Sequence, residues 1–370
     1  IIGESNNKIY ALAVRKDDFS LKIFDAASMK QLSSKKIILP EMNDKEVEFE
    51  DVFMLNGKLY AVGSVYNSKT KIYNLVGSSL SEDGVISKKG VVLFDAEVAK
   101  KSQKGSFYFK EAPAEDKLLI MHACEFPRED AVKYELKLFD DNLKSFFAAS
   151  EKVHFDDKKK DFDFLIADFD LNVNGDAFLA INESYRDSKK KEKVERFEVH
   201  AFKKANNYTK EVINIDFKDK EIINCKMMAT ANNMLQMVGF YSGVRESGRA
   251  EKDLKGIYNI NVDLATNTVN KNKFNQFDYA TKVKLIGERR AKKGKDVKPL
   301  YTITNIIEKP DGGLIVLSEY RLVIVGQSSG IGPLAFTPVT YVKNEIIVTS
   351  LNPDGSFAWG NVVPKEQAAS

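Results

Sequence analysis

The sequence predicts an all-β chain, a six-bladed β-propeller of four-stranded antiparallel blades, with seven or eight blades as the alternative if the chain is trimmed. Three observations carry that expectation. The stretch FLIADFDLNVNGDAFLAINESY holds two apolar-alternating runs around Asn174-Gly175, and such a pair supplies the positive φ that a type I′ hairpin turn requires. The device recurs: second strands of equivalent hairpins start at Lys8, Lys58, Lys117, Asp176, Asn233 and Gly313, at intervals of 50, 59, 59, 57 and 80 residues. Helical periodicity is scarce, because Val, Ile, Phe and Tyr dominate the apolar positions and few segments keep a 3.6-residue pattern beyond two turns.

In chain order, turn-forming pairs precede each second strand: Asn6-Asn7, Asn56-Gly57, Glu115-Asp116, Asn174-Gly175, Asn232-Asn233 and Asp311-Gly312. A short β run stands before each pair and two more follow, which places the blades at about 1-40, 47-94, 105-155, 162-217, 221-277 and 299-364, all within one propeller domain over 1-370. Where alternation fails, as in KLYAVGSV or KLLIMHAC, a strand covered on both faces by neighbouring blades is expected. Only Asp95 to Gln103 suggests a short helix.

Composition narrows the function. Of 370 residues 43% are apolar, sufficient for a sizeable core, and the 29% that are charged nearly cancel to +3, so the net field gives no reason to expect nucleic acid or a membrane surface. No run approaches a membrane-spanning length. Beginning at Ile1, the chain reads as processed or trimmed. Cys124 and Cys225 fit neither a disulfide framework nor a zinc site and read as packing thiols.

Connections divide into two sets. Tight turns join first to second and third to fourth strands, whereas the insertions Asp187 to Lys193, Val244 to Lys255, Asp278 to Lys298 and Gly326 to Thr340 lie at the opposite strand ends of blades four to six. Two are basic, through Lys189, Lys190 and Lys191 and through Arg289, Arg290, Lys292, Lys293 and Lys295. The fourth, GQSSGIGPLAFTPVT, is uncharged and offers Leu334 and Phe336 to a partner. Solvated loops without a ligand, or a cap folded over the disc mouth, are the plain alternatives.

Signals for chemistry are thin. Asp170, Asn172, Asn174 and Gly175 begin a calcium-loop pattern, but its twelfth position holds Ile181, so a hairpin turn is the better reading. His122, His154 and His200 have no metal-binding spacing. The acidic run Glu46 to Asp51 enters the first strand of blade two, where carboxylates would line a central channel with Asp161 and Asp163 or form a solvated rim. No acyl-, phosphoryl- or hydride-transfer motif is present.

The repeated unit of a first strand, an NG or DG turn, a second strand such as KLYAV and two further strands resembles the NHL and TolB-like propellers. The Lys- and Asn-rich texture and the ending EIIVTSLNPDGSFAWGNVVPKEQ look like envelope propellers of Bacteroidota. That resemblance implies an exported chain, periplasmic or at the cell surface. The expected function is a non-catalytic binding or scaffolding propeller without a cofactor, engaging a protein or an anionic glycan through the long-loop face of blades four to six. The alternative is a propeller hydrolase, lactonase or lyase with calcium in the central channel.

Overall fold

The computed structural model describes residues 1–15, 18–154, 159–187, 193–217, 220–230, 232–243, 251–325 and 339–369; the side chains of 159–163, 186–187 and 193 are not described. The fold is all-β: six antiparallel four-stranded sheets follow one another in chain order as the blades of a six-bladed β-propeller. Their residues cluster in two compact units, 1–157 with 171–177 and 202–209, and 158–170 with 178–201 and 210–370.

The first unit holds blades one to three. Blade one comprises Gly3–Ser5, Lys8–Arg15, Asp18–Asp25 and Gln31–Lys36; blade two Glu48–Leu55, Lys58–Asn67, Ile72–Leu80 and Val91–Glu97. Blade three comprises Ser106–Glu111, Lys117–Phe126, Ala131–Asp140 and Ser145–His154. Tyr10, Leu21 and Ile23 of blade one are buried against Val52, Met54 and Leu59 of blade two. Phe53, Val62, Leu75 and Phe94 carry the packing on to Phe107, Leu118, Ile120 and Phe139 of blade three. Each buried Leu, Ile or Phe contributes about 1.5–3 kcal/mol, so this face-to-face burial is what holds the blades together.

A repeated Asn-x-Lys-x-Tyr lies over it at the turn end. Asn6, Lys8 and Tyr10 reach Glu82 at 2.6, 3.4 and 3.4 Å. Asn56, Lys58 and Tyr60 meet Asp141 at 3.1, 2.9 and 2.8 Å. Alternate residues share a strand face, so the spacing delivers three donors to the third-to-fourth turn of the next blade. The ion pairs are largely exposed and contribute at most about 1 kcal/mol, which makes them markers of register more than sources of stability.

The second unit contains the body of blade four with blades five and six. Blade four is Lys159–Leu171, Ala177–Asp187, Lys193–Phe202 and Lys210–Ile215. Blade five has a divided first strand, Lys220–Ile222 and Lys226–Ala229, followed by Met234–Gly243, Gly256–Asp263 and Thr268–Gln276. Blade six has Tyr301–Glu308, Leu314–Val325, Val339–Leu351 and Phe357–Val363, and Gln367–Ala369 rejoins its third strand.

The first strands of blades four and five are stitched by carboxylates: Asp168 accepts from Met227 N–H at 2.6 Å and pairs with Lys226 at 3.0 Å, and Asp170 accepts from Ala229 N–H at 2.7 Å. At the break in blade five, Asn224 accepts from Phe240 N–H at 2.8 Å and donates to Tyr301 C=O of blade six at 3.1 Å.

Three local expectations are corrected. Asn174 does not have positive φ; Gly175, at +87°, alone does, and its N–H bonds Asn172 C=O at 3.0 Å. The hairpin is therefore a type I turn followed by a left-handed glycine, not a type I′ pair. Asn6-Asn7 and Asn56-Gly57 do have positive φ at both residues. Asp95 to Gln103 is no α-helix: strand continues to Glu97, and only Lys101–Gln103 forms a 3₁₀ turn. The helices occupy the basic insertion instead, α1 at Tyr279–Ile286 and α2 at Glu288–Lys292. Asp278 starts α1 by accepting from Thr281 N–H at 2.7 Å.

Replacing Asn224 by Ala strands a backbone donor in blade five and an acceptor in blade six, so Asn224→Ala is expected to lose about 2 kcal/mol in urea unfolding, with Asn224→Asp losing less. Equal stability of Asn224→Ala and the parent would contradict that role.

Candidate functional site

The acidic run at the entry to blade two builds the most developed site. Along the strand pair, Glu48 faces Ser64 and Phe49 faces Gly63, but Asp51 already faces Val62, so Glu50 is the extra residue of a β-bulge. The bulge turns Glu50 onto the Ser64 hydroxyl at 2.6 Å and the Lys104 ammonium at 2.5 Å. Lys104 also reaches Glu48 at 3.3 Å. Burial alone would lower the Lys104 pKa, but the hydrogen bond and charge of Glu50, with Glu48 behind it, raise it above the ordinary lysine value.

Lys104 is held from behind. His122, fully buried and 4.6 Å from the Phe107 ring, lies 2.7 Å through Nε2 from the Lys104 carbonyl. Desolvation pushes the His122 pKa down to about 4, so the ring is neutral and Nε2 carries the hydrogen it donates. Nδ1 has no partner. Gly105 follows at φ +71°, and a Cβ there would stand 2.0 Å from the Ala123 carbonyl oxygen, so only glycine lets the chain pass so close. The Lys104 ammonium also sits 5.3 Å from the centre of the Tyr73 ring.

In front lies a pocket of about 490 Å³ lined by Lys45, Glu46, Glu48, Ser64, Val65, Tyr66, Ser68 and Lys101. Its walls are cross-linked: Lys45 donates to the Tyr66 carbonyl at 3.0 Å, Tyr66 and Tyr73 rings lie 5.0 Å apart, and the Tyr73 hydroxyl donates to the Lys101 carbonyl at 3.0 Å. Glu48 spends one oxygen on Lys104. Among the described residues no group of three His, Cys, Asp or Glu side chains is placed to hold a metal ion, and the Lys104 ammonium occupies the position between Glu48 and Glu50 where a cation would bind. The donor set does not fit calcium.

A second pair of acids marks the seam between blades two and three. Burial, then the charges of Glu115 and Asp51, push the Glu111 carboxyl up to about 7. Asp51 is raised by burial, against a bond from Val52 N–H. Glu111 is the more perturbed carboxyl, yet it does not line the pocket. Its shift is chiefly desolvation and records a packing cost; the acids that line the pocket are Glu46 and Glu48.

The predicted contact residues that are described belong to the second unit. Arg289, Arg290, Lys292, Lys293 and Lys295 are exposed on and after α2, and Lys292 pairs with Glu288 at 2.7 Å. Lys282, from the same insertion, is neutralised by Asp296 at 2.5 Å. Lys189, Lys190, Lys191, Leu334 and Phe336 lie outside the described residues, as do the side chains of Asp161 and Asp163. Asn172 and Asp176 of the calcium-like stretch bond each other at 2.9 Å, and Asp176 accepts from Lys204 N–H at 2.7 Å, which leaves them structural. Cys124 and Cys225 are buried and free. Lys104 and His122 were missed as a pair, because no local spacing links them to Glu48 and Glu50.

No protein-family model and no curated protein matches the chain. Among solved structures, an apocarotenoid oxygenase mutant of Synechocystis is similar at a TM-score of 0.39 and 10% identity over 97% of this chain and 69% of the other. An α-L-arabinofuranosidase of Fusarium graminearum, complexed with arabinobiose, gives 0.39 and 10% over 89% of this chain and 96% of its own. An α-L-arabinanase of Penicillium chrysogenum, also with arabinobiose, gives 0.38 and 9% over the same shares. NHL and TolB-like proteins are not among these neighbours, which by their descriptions are enzymes. That finding corrects the expected non-catalytic scaffold engaging a protein or anionic glycan.

Glu111 gives the seam between blades two and three a pH signature. Its folded value near 7 exceeds the ordinary 4.5, so its contribution is fully present below pH 4.5 and is lost as pH rises through 7. Glu111→Gln is expected to lack that loss and, allowing for solvent screening, to gain about 1–2 kcal/mol over the parent at pH 8 while matching it near pH 4. Parallel pH profiles of the two proteins in urea unfolding would refute the assignment.

Proposed function

We propose that the chain is a hydrolase whose general base is the pocket carboxylate Glu48 of blade two. The observation that carries this reading is the bulged Glu50, which fixes Lys104 against Glu48 at the floor of a pocket that Glu46 and Glu48 both line. Glu50, itself accepting from the Ser64 hydroxyl, holds one side of the ammonium, so Glu48 is oriented with one oxygen on Lys104 and the other left for a water molecule. Glu48 takes a proton from that water as the water oxygen bonds to the electrophilic carbon of the substrate, the bond from that carbon to the departing oxygen breaks, and the departing oxygen takes its proton from solvent. Lys104 stays charged and steadies the carboxylate as the proton moves.

Purified protein is expected to turn over at least one member of a panel of glycosides, lactones and esters, and Glu48→Gln to lower kcat about 10²–10⁴-fold. Lys104→Met is expected to raise KM less than it lowers kcat, since it disturbs Glu48 and not the pocket wall. No turnover across the panel, or full activity in Glu48→Gln, would remove the reading.

A further inference from the structure

The pocket also carries a statement about what fills it, one that deepens the hydrolase reading and rests on the same site. We infer that it binds a neutral, polyhydroxylated ring, the chemistry of a saccharide. Its charged groups balance: Lys45 and Lys101 stand with Glu46 and Glu48, so the lining offers no net charge to an ion. The third ammonium, Lys104, is spent on Glu48 and Glu50. An anion would meet two carboxylates and a cation two ammoniums, so the lining favours neither sign of charge. A hydroxyl meets no such penalty, because it donates to a carboxylate and accepts from an ammonium with the same oxygen. The several hydroxyls of a ring can bond lining groups of either polarity, and Ser64 and Ser68 add neutral hydroxyls to the wall.

The remaining wall is aromatic. Tyr66 lines the pocket and is backed by Tyr73 at 5.0 Å, with the interplanar angle of 44° of a tilted pair. A supported ring of this kind offers its negative face to the polarised C–H groups of a sugar, whose apolar side would otherwise remain hydrated. A volume of about 490 Å³ lies within the range of small-molecule sites. The Lys45 bond to the Tyr66 carbonyl and the Tyr73 bond to the Lys101 carbonyl fix both sides of the pocket before a ligand arrives.

The test is binding, read without turnover. Maltohexaose, xylohexaose and laminarihexaose as neutral probes, with hexagalacturonate and inorganic phosphate as anionic ones, are titrated into the full chain by calorimetry and ligand-observed NMR. At least one neutral hexasaccharide is expected to saturate with a Kd of about 1 mM or tighter. Tyr66→Ala and Ser68→Trp, the second filling the pocket from its exposed rim, are each expected to weaken that binding at least tenfold. Absence of binding by all three neutral probes, binding of anions alone, or saturation undisturbed by Ser68→Trp would overturn the inference. Binding without any hydrolysis would overturn the hydrolase reading and leave this one standing, so the two fail separately.

Discussion

The constraint on which the blades depend most is the covering of middle strands on both faces. Leu118 to His122 in blade three are five successive buried residues, and Ala177 to Ile181 in blade four are another five. A strand that has no solvated side cannot be stable in an isolated sheet, so within the first unit blade two is completed by blades one and three. The surface electrostatics act on a smaller scale. The Asn-x-Lys-x-Tyr contacts to Glu82 and Asp141 are mostly exposed, and each contributes far less than the apolar contacts beneath it. What they supply is selectivity: a one-residue slip of the second strand would turn all three donors away from the neighbouring turn and bury the lysine.

Much of that organisation is legible in the sequence, and the illegible parts have physical causes. Lys8, Lys58 and Lys117 align because second strands begin with a donor just after the turn, although Lys117 pairs with its neighbour Asp116 at 2.5 Å and also donates to the Val173 carbonyl at 3.4 Å. The turn type around Asn174-Gly175 was beyond the dipeptide alone. Asn172 commits its side chain to Asp176, which lengthens the loop and leaves only Gly175 left-handed. The helices after Asp278 are similarly hidden. α1 and α2 are short, Gly287 separates them, and lysines interrupt any apolar stripe, so their helicity follows from the Asp278 cap and from packing of Leu285 and Ile286 against the blade-six core.

The site was half visible for a related reason. Six acidic or apolar residues in a row, Glu46 to Asp51, announce carboxylates at the start of a strand, but alternation places Glu48 and Glu50 on one face and cannot predict a bulge. The extra residue is what separates their partners, giving Glu50 the Ser64 hydroxyl and leaving Glu48 at the pocket. Their shared cation comes from 56 residues downstream of Glu48, on the connection into blade three, where Gly105 and His122 fix the backbone. Charge runs reveal surplus; they do not reveal which distant lysine cancels it.

His122 and Glu111 bring opposite pH dependences to the same unit. His122 has a folded value near 4 against an ordinary 6.5, so its contribution is complete above pH 6.5 and is lost as pH falls through 4. Glu111 runs the other way, complete below 4.5 and lost through 7. Between about pH 4.5 and 6.5 one slope rises while the other falls, and the two largely cancel. Outside that window each acts unopposed. Both groups are buried in the uncharged form, so neither adds charge to the interior within the window, and Lys104 remains the fixed cation between Glu48 and Glu50 throughout it. The neutral histidine therefore does more than fill space beside Phe107: it anchors the Lys104 backbone without placing a second positive charge behind the ammonium that organises the pocket.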